Sequence, residues 1–424
     1  MRSASVRDGG HDERVVSFDE AMTTVLSQAA NVGRQAIETV AIPESMGRVL
    51  ATPVLADRDQ PPFDRSTRDG YAVRAEEVMT GMWLEVVGQV QAGRRWEGSL
   101  APHQTIEIMT GAPVPADLDA VVMLEHVERN DSQERKAIRL ADGRRMISGE
   151  NIVPRGSEAR AGDIVLAAGT EMDAAAVALA AACGAAMLEV FQKPGVSILA
   201  TGDELVDVLE TPGPEQIRNS NSYGLAALVG RAGGRPLRQP VAPDRRDELE
   251  HAIRRARRAD LMLLTGGVSM GEYDLVEEVL LSFGAEFFFT GVRMQPGKPV
   301  VFGRLPERDG MPATFFFGLP GNPVSTQVTF TCFVEPMLSA MRGTNVEGPR
   351  FVQATLADEV PGKPGLTRVL PARLTPNRIR PEVRLVVWQG SGDMAANARA
   401  NCYAVLPDKV ESFRPGDVIT VLLR

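Results

Sequence analysis

Residues 196–205, VSILATGDEL, and residues 260–267, DLMLLTGG, decide the fold. Each is an apolar run that stops abruptly in Thr-Gly, which reads as a strand buried on both faces and closed by a turn. Between them lie NSYGLAALVGRAGG (221–234), a helix ending in a glycine pair, and DELEHAIRRARRA (247–259), a helix with a charged face. Toward the C-terminus the alternation continues. DLVEEVLLSFG (274–284) reads as a helix, FFFTGVRM (287–294) and TFFFGLPG (314–321) as strands, and NPVSTQVTFTCFVEPML (322–338) as a helix. This pattern predicts a doubly wound parallel sheet, covered on both faces, over residues 191–340.

The texture changes on either side. Residues 18–50 open with a helical pattern, and Asp19 and Glu20 suit its N-terminus. From 51 to 147 short β runs take over, among them YAVRA, MWLEVVGQV, QTIEIMTG and DAVVMLEHV. Residues 148–190 return to loop, turn and helix, with Ala174–Leu188 read as a buried helix, punctuation at Gly184 and a strand. The expected organisation is a disordered tail (1–16), a first domain made of 17–50 and 148–190, a β insert (51–147), the α/β domain (191–340) and a small C-terminal β domain (341–424).

Composition narrows the function. The chain has 424 residues, 44% hydrophobic and 24% charged, enough apolar material for several cores. The 46 basic and 55 acidic side chains give a net charge of −9, which disfavours nucleic acid as a partner. Cys183, Cys332 and Cys402 are too far apart for a CxxC motif and fit reduced, buried thiols of a cytoplasmic protein. The four histidines form no HExxH-like pair, so zinc hydrolysis and Ser-His-Asp chemistry lose their support. The N-terminus has no apolar signal core, and no stretch is long enough to span a membrane.

In an open parallel sheet, ligands bind at the carboxyl ends of the strands, and three strands here end in unusual sequences. After the first, Asp203 and Glu204 either hold a hard cation such as Mg²⁺ or sit on a solvated turn. After the second, TGGVSMGEYD (265–274) is either an anion nest of bare peptide N–H groups or a plain glycine turn, and Asp274 either caps a helix or reaches a metal. After the third, GLPGNPVS (318–325) places Asn322 as helix cap and Pro323 at the first helical position. Free N–H groups there can take phosphate or an oxyanion. Lys298, held between rigid residues in QPGKP (295–299), suits a point-charge contact to phosphate. The loop DRSTRDGY (64–71) is by default a surface turn, and the arginines at 254, 255, 257 and 258 read as a solvated face.

The order and wording of the motifs go further. TRDGYA, IMTGAPVP with DAVVMLE, GENI, ILATGDEL, TGGVSMGEYD, PGKP, GLPGNPVS and QGSGDM with ARAN occur in sequence across residues 67–401. The chain closely resembles the MoeA family of molybdopterin molybdenumtransferases, related to the C-terminal domain of gephyrin. The resemblance implies an elongated N-terminal domain, an inserted β lid, a doubly wound molybdopterin-binding domain and a C-terminal β barrel. It implies homodimers in which one subunit's lid faces the other's α/β domain. The implied reaction inserts molybdate into adenylylated molybdopterin with Mg²⁺ and releases AMP. The molybdopterin adenylyltransferase and molybdoenzymes are implied partners.

Carried over by motif, Glu204 and Asp274 are the acids of the α/β site and its metal ligands, Asp244 is a further family acid, and Asp69 is the lid contribution. Lys298 and Ser391 are anion contacts, Gly266, Gly267, Ser269, Gly321 and Asn322 line the cradle, and Glu158 replaces a usual aspartate. Five positions usually basic in the family hold Val153, Gly291, Gln295, Leu366 and Pro371, while Arg293, Arg368 and Arg373 lie close by in sequence. Two other readings stand beside the transferase. One is a non-catalytic MoeA-like scaffold or chaperone that binds molybdopterin or a molybdoenzyme; the other is a different nucleotide-dependent transferase on the same fold.

Overall fold

Gly195–Ala200 (β1) is buried at all six positions, so both of its faces must be covered and both of its edges paired. Arg235–Arg238 (β2) and Leu261–Thr265 (β3) supply the two neighbours, each parallel to β1. Glu286–Phe289 (β4), Val301–Leu305 (β5) and Thr314–Leu319 (β6) complete a six-stranded sheet of order β2-β1-β3-β6-β5-β4. β6 runs parallel to β3, whereas β5 runs antiparallel to β6, and β4 pairs antiparallel with β5 at the edge. The short link between β5 and β6 explains this, since a hairpin connection enforces antiparallel pairing.

The computed structural model describes residues 14–78, 82–132, 135–266, 275–308, 310–344, 348–377 and 379–424. They fall into two units: Val40–Met46 with Thr52–Leu188, and the rest of the chain, including the sheet and the C-terminal strands.

Helices cover both faces of the sheet. On one side, Arg246–Ala256 buries Leu249, Ala252, Ile253 and Ala256 against Leu199, Met262 and Leu264. That spacing is the stripe expected of an amphipathic helix. The arginine run is not uniformly solvated: Arg257 is only 3% exposed, and its guanidinium donates to the carbonyls of Pro306 (2.8 Å) and Pro312 (3.3 Å). It sits at the helix C-cap, where the chain turns inward.

On the other side, Phe18–Ala30 begins at a capping box between Ser17 and Glu20 and buries Phe18, Ala21, Val25 and Ala29. Phe18 packs on Phe333, with ring centroids 5.8 Å apart, so this helix joins the α/β core rather than residues 148–190. Val15 and Val16, placed in the tail by sequence, form a short strand beside Gly291 and Val292. The aromatic centre of the sheet is Phe302, stacked on Phe317 at 4.5 Å.

Downstream, Phe351–Leu356 (β7), Thr367–Thr375 (β8), Glu382–Leu385 (β9), Cys402–Leu406 (β10) and Val418–Leu423 (β11) close into a five-stranded barrel, because β8 pairs with both β9 and β10. The other unit holds a six-stranded sheet over residues 70–140. There the helix Ala174–Ala182 buries only Ala176 and Ala180 of its alanines, and Leu179 is exposed. It is therefore a half-exposed helix, not the buried one expected from its apolar content. All three cysteines are free and buried. No described helix is long and apolar enough to cross a membrane.

Candidate functional site

Three strands end level. Ala200 of β1 pairs with Thr265 of β3, and Thr265 pairs with Leu319 of β6, so the loops beyond them leave the sheet from a common line. Polar bonds then stitch these loops together. The Thr201 N–H donates to the Thr265 carbonyl (3.0 Å), and the Asn221 amide donates to both Thr265 Oγ1 (3.0 Å) and the Gly321 carbonyl (2.8 Å). The Thr326 hydroxyl donates to the Pro320 carbonyl. Gly266 has φ +85°, and a Cβ there would lie 2.2 Å from the Thr201 carbonyl oxygen, so no other residue fits this crossing.

A cavity of about 750 Å³ opens over this line. It gathers Glu204, Gly266, Lys298, Gly321, Asn322 and Ser391, six of the residues singled out in the sequence. The Lys298 loop reaches it because Gly297, at φ +109°, lies against Thr329: a Cβ there would stand 2.6 Å from the Thr329 methyl. Ser391 arrives from the C-terminal barrel segment, held by the Val324 N–H, which donates to the Ser391 carbonyl at 3.0 Å. Asn322 does start a helix, but its side chain makes no cap bond, so the amide stays available to the cavity.

The acids cluster beside the cavity. The Asp244 N–H donates to Asp203 Oδ1 at 3.2 Å. Desolvation, reinforced by the charges of Asp203 and Glu204, raises Asp244 above the usual carboxylate range. Among the described residues no three acidic, histidine or cysteine side chains converge on one point that could hold a metal. Gly267, Ser269 and Asp274 lie outside the described residues.

Asp69 and Glu158 belong to the other unit. Asp69 Oδ1 accepts the Thr110 N–H (2.6 Å) and hydroxyl (2.8 Å), and these two bonds hold its carboxyl below the usual range. Glu158 pairs with Arg65 at 3.2 Å on an exposed surface, an interaction of small energetic weight.

Comparison with known proteins fits this geometry. Residues 16–184 match the MoeA N-terminal region (domain I and II), 197–340 a probable molybdopterin binding domain, and 353–423 the MoeA C-terminal region (domain IV). Over 419 residues the chain is 32% identical to the molybdopterin molybdenumtransferase of Staphylococcus epidermidis, covering 96% of this chain and 95% of that one. The chain belongs to the MoeA family. It is also 37% identical to the molybdopterin molybdenumtransferase of a Nostoc species, over 77% of this chain and 74% of that one. The crystal structure of the molybdopterin biosynthesis MoeA protein of Pyrococcus horikoshii superposes with a TM-score of 0.79 at 28% identity, covering 97% of this chain and all of that one.

Within the MoeA framework the positions that lack the usual basic residue can now be placed. Gly291 is buried beside Val15, Pro371 is buried in the barrel, and Gln295 lines the cavity. The three nearby arginines do not refill it. Arg293 binds the Val15 carbonyl (3.2 Å) and faces Glu20 (3.6 Å), Arg368 binds the Pro361 carbonyl (2.6 Å), and Arg373 pairs with Arg384 across the barrel ladder.

The cations that do line the cavity are Lys298 and Arg218, and neither forms an ion pair among the described residues. Among the lining residues that the sequence did not single out are Arg218, Asn221 and Trp388. For Arg218 and Asn221 a signal existed, because the polar run RNSNS (218–222) precedes an apolar helix face.

Proposed function

We propose that this MoeA-family chain is a molybdopterin molybdenumtransferase of molybdenum cofactor biosynthesis. Its substrates are then adenylylated molybdopterin and molybdate. The products are AMP, freed by cleavage of the phosphoanhydride, and molybdopterin with molybdenum on its dithiolene sulfurs. The observation that carries the reading is the common level of Ala200, Thr265 and Leu319, which sets an acid, two cations without an ion pair among the described residues and two glycine turns around one cavity.

The residues divide the work by charge. Lys298, Arg218, Ser391 and the Asn322 amide bind the phosphate and molybdate oxygens. Gly266 and Gly321 let those oxygens approach bare backbone. Glu204, with Asp274, holds Mg²⁺. One or two carboxylates suffice for that ion when substrate phosphates complete its shell, and the mutual repulsion around Asp244 fits such a cation. When bound, Mg²⁺ neutralises charge on the phosphoanhydride.

Purified protein given adenylylated molybdopterin, molybdate and Mg²⁺ is expected to release AMP. Lys298→Ala should raise the half-saturating molybdate concentration at least about tenfold, the loss of one charge-assisted hydrogen bond. No AMP above background at saturating molybdate overturns the transferase reading.

The scaffold reading leaves the Glu204 and Asp244 cluster without a role, and the relatives' names favour the enzyme. The adenylyltransferase that makes the substrate and the molybdoenzymes that take the product are the partners this chemistry requires. The buried free thiols support a cytoplasmic setting.

The working form is a homodimer that brings Asp69 of one subunit to the α/β site of its partner. Supporting this, Leu55 and Ile164 are cross-strand neighbours and both exposed, at 49% and 63%. Sedimentation equilibrium should give twice the 45.7 kDa chain mass, and Leu55→Asp with Ile164→Asp should move it toward the monomer. A monomeric wild-type protein contradicts the dimer.

A further inference from the structure

Trp388 is the one aromatic side chain among the described residues lining the cavity. It is half-buried, and it packs against both the α/β core and the barrel core. Its segment is pinned on either side. Upstream, the Val386 N–H donates to the Pro371 carbonyl at 3.0 Å; downstream, the Gln389 N–H donates to Asp393 Oδ2 at 3.0 Å and the Asp393 N–H to the Gly390 carbonyl at 3.0 Å. The indole is thus a fixed wall, and binding against it costs little ordering entropy.

Two further features define what the wall can take. Around the cavity, Leu205, Ile217, Met294, Pro296 and Pro299 add apolar surface, while Lys298 and Arg218 add positive charge. The Trp388 indole N–H has no hydrogen-bond acceptor among the described residues, although its ring is only partly exposed. An aromatic lining residue, an open donor and a nearby cationic rim together suit a planar nitrogen heterocycle joined to a phosphate.

We propose that Trp388 is the stacking platform for a heterocyclic ring of the substrate, and that it sets the cavity's preference for such rings. The proposal rests on the reading that the cavity binds adenylylated molybdopterin, which carries two rings of this class, a pterin and an adenine. Either can occupy the platform, and binding measurements separate them.

Calorimetric titrations of the full chain with 6-hydroxymethylpterin monophosphate, AMP and inorganic phosphate would be compared between wild type, Trp388→Phe and Trp388→Leu. Loss of one base-aromatic stack corresponds to about tenfold in affinity. Trp388→Leu is expected to weaken the pterin ester or AMP by about that factor, and the ligand affected names the ring. Trp388→Phe should stay within about threefold of wild type, and phosphate binding should not change in either variant.

A melting temperature like wild type's confirms that Leu supports the packing; if it does not, Trp388→Met takes its place. The proposal is overturned if the wild type binds neither ring compound, if Trp388→Leu binds both as wild type does, or if phosphate weakens equally. These readouts are binding alone. Ring-dependent binding in a protein that releases no AMP would sink the transferase assignment and leave the platform standing.

Discussion

Gly266→Ala is expected to abolish AMP release and to lower the melting temperature by about 5 °C. The added Cβ would stand 2.2 Å from the Thr201 carbonyl oxygen, a backbone atom that cannot swing aside. It would also force a non-glycine residue to φ +85°, itself a strain on the order of 1–3 kcal/mol. The strands must part to relieve the clash, and parting them removes the common level on which Glu204, Gly321 and Lys298 depend. A total near 3 kcal/mol corresponds to that thermal shift for a unit of this size. Thermal unfolding and AMP release would be read on the same preparation. Wild-type activity in the variant would mean that the strand-end crossing does not shape the site.

The second large effect is functional, not structural. Glu204→Gln should lower kcat/KM for AMP release about 10²- to 10³-fold, the loss typical when a charge-stabilising group is removed from a reaction centre. The Mg²⁺ concentration needed for half-maximal rate should rise with it.

Stability should move the other way, or not at all. Desolvation, reinforced by the Asp203 and Glu204 charges, holds Asp244 above its usual value, so ionised Asp244 weakens the fold. That penalty is absent below the ordinary carboxylate range, grows as pH rises from there toward the raised folded value, and is complete above it. Neutralising Glu204 removes part of it at neutral pH. A variant with a melting temperature equal to or above wild type's but collapsed activity marks Glu204 as a working acid. Unchanged kcat/KM and Mg²⁺ dependence would remove it from the site.

How much of this was legible in the sequence depends on how local the cause is. VSILATG and DLMLLTGG read as buried strands because both faces carry almost only apolar residues, and the structure buries Gly195–Ala200 and Leu261–Thr265 completely. GLPGNPVS read as a helix start because Pro and Asn fix backbone geometry within a few residues. Lys298 was found because two prolines and a glycine make its loop distinctive.

Long-range features were not legible. The antiparallel edge of the sheet depends on which strand β5 pairs with, and Phe18–Ala30 joins the α/β core through contacts to Phe333, more than three hundred positions away. Arg257 sits in an arginine run that looks solvated, yet it is buried because the helix ends at that point. Ala174–Ala182 looked buried because alanine is apolar, but small side chains gain little from burial and tolerate an exposed face. Trp388 reaches the cavity only through closure of the barrel, which no local pattern encodes.

Crystals of the protein soaked with molybdate, measured at the molybdenum absorption edge, test the central claim most directly. The account predicts one anomalous peak per chain inside the cavity, within contact distance of Lys298 and Ser391 and beside the turn at Gly321. Molybdenum density confined to other surfaces, with the cavity empty at saturating molybdate, would contradict it.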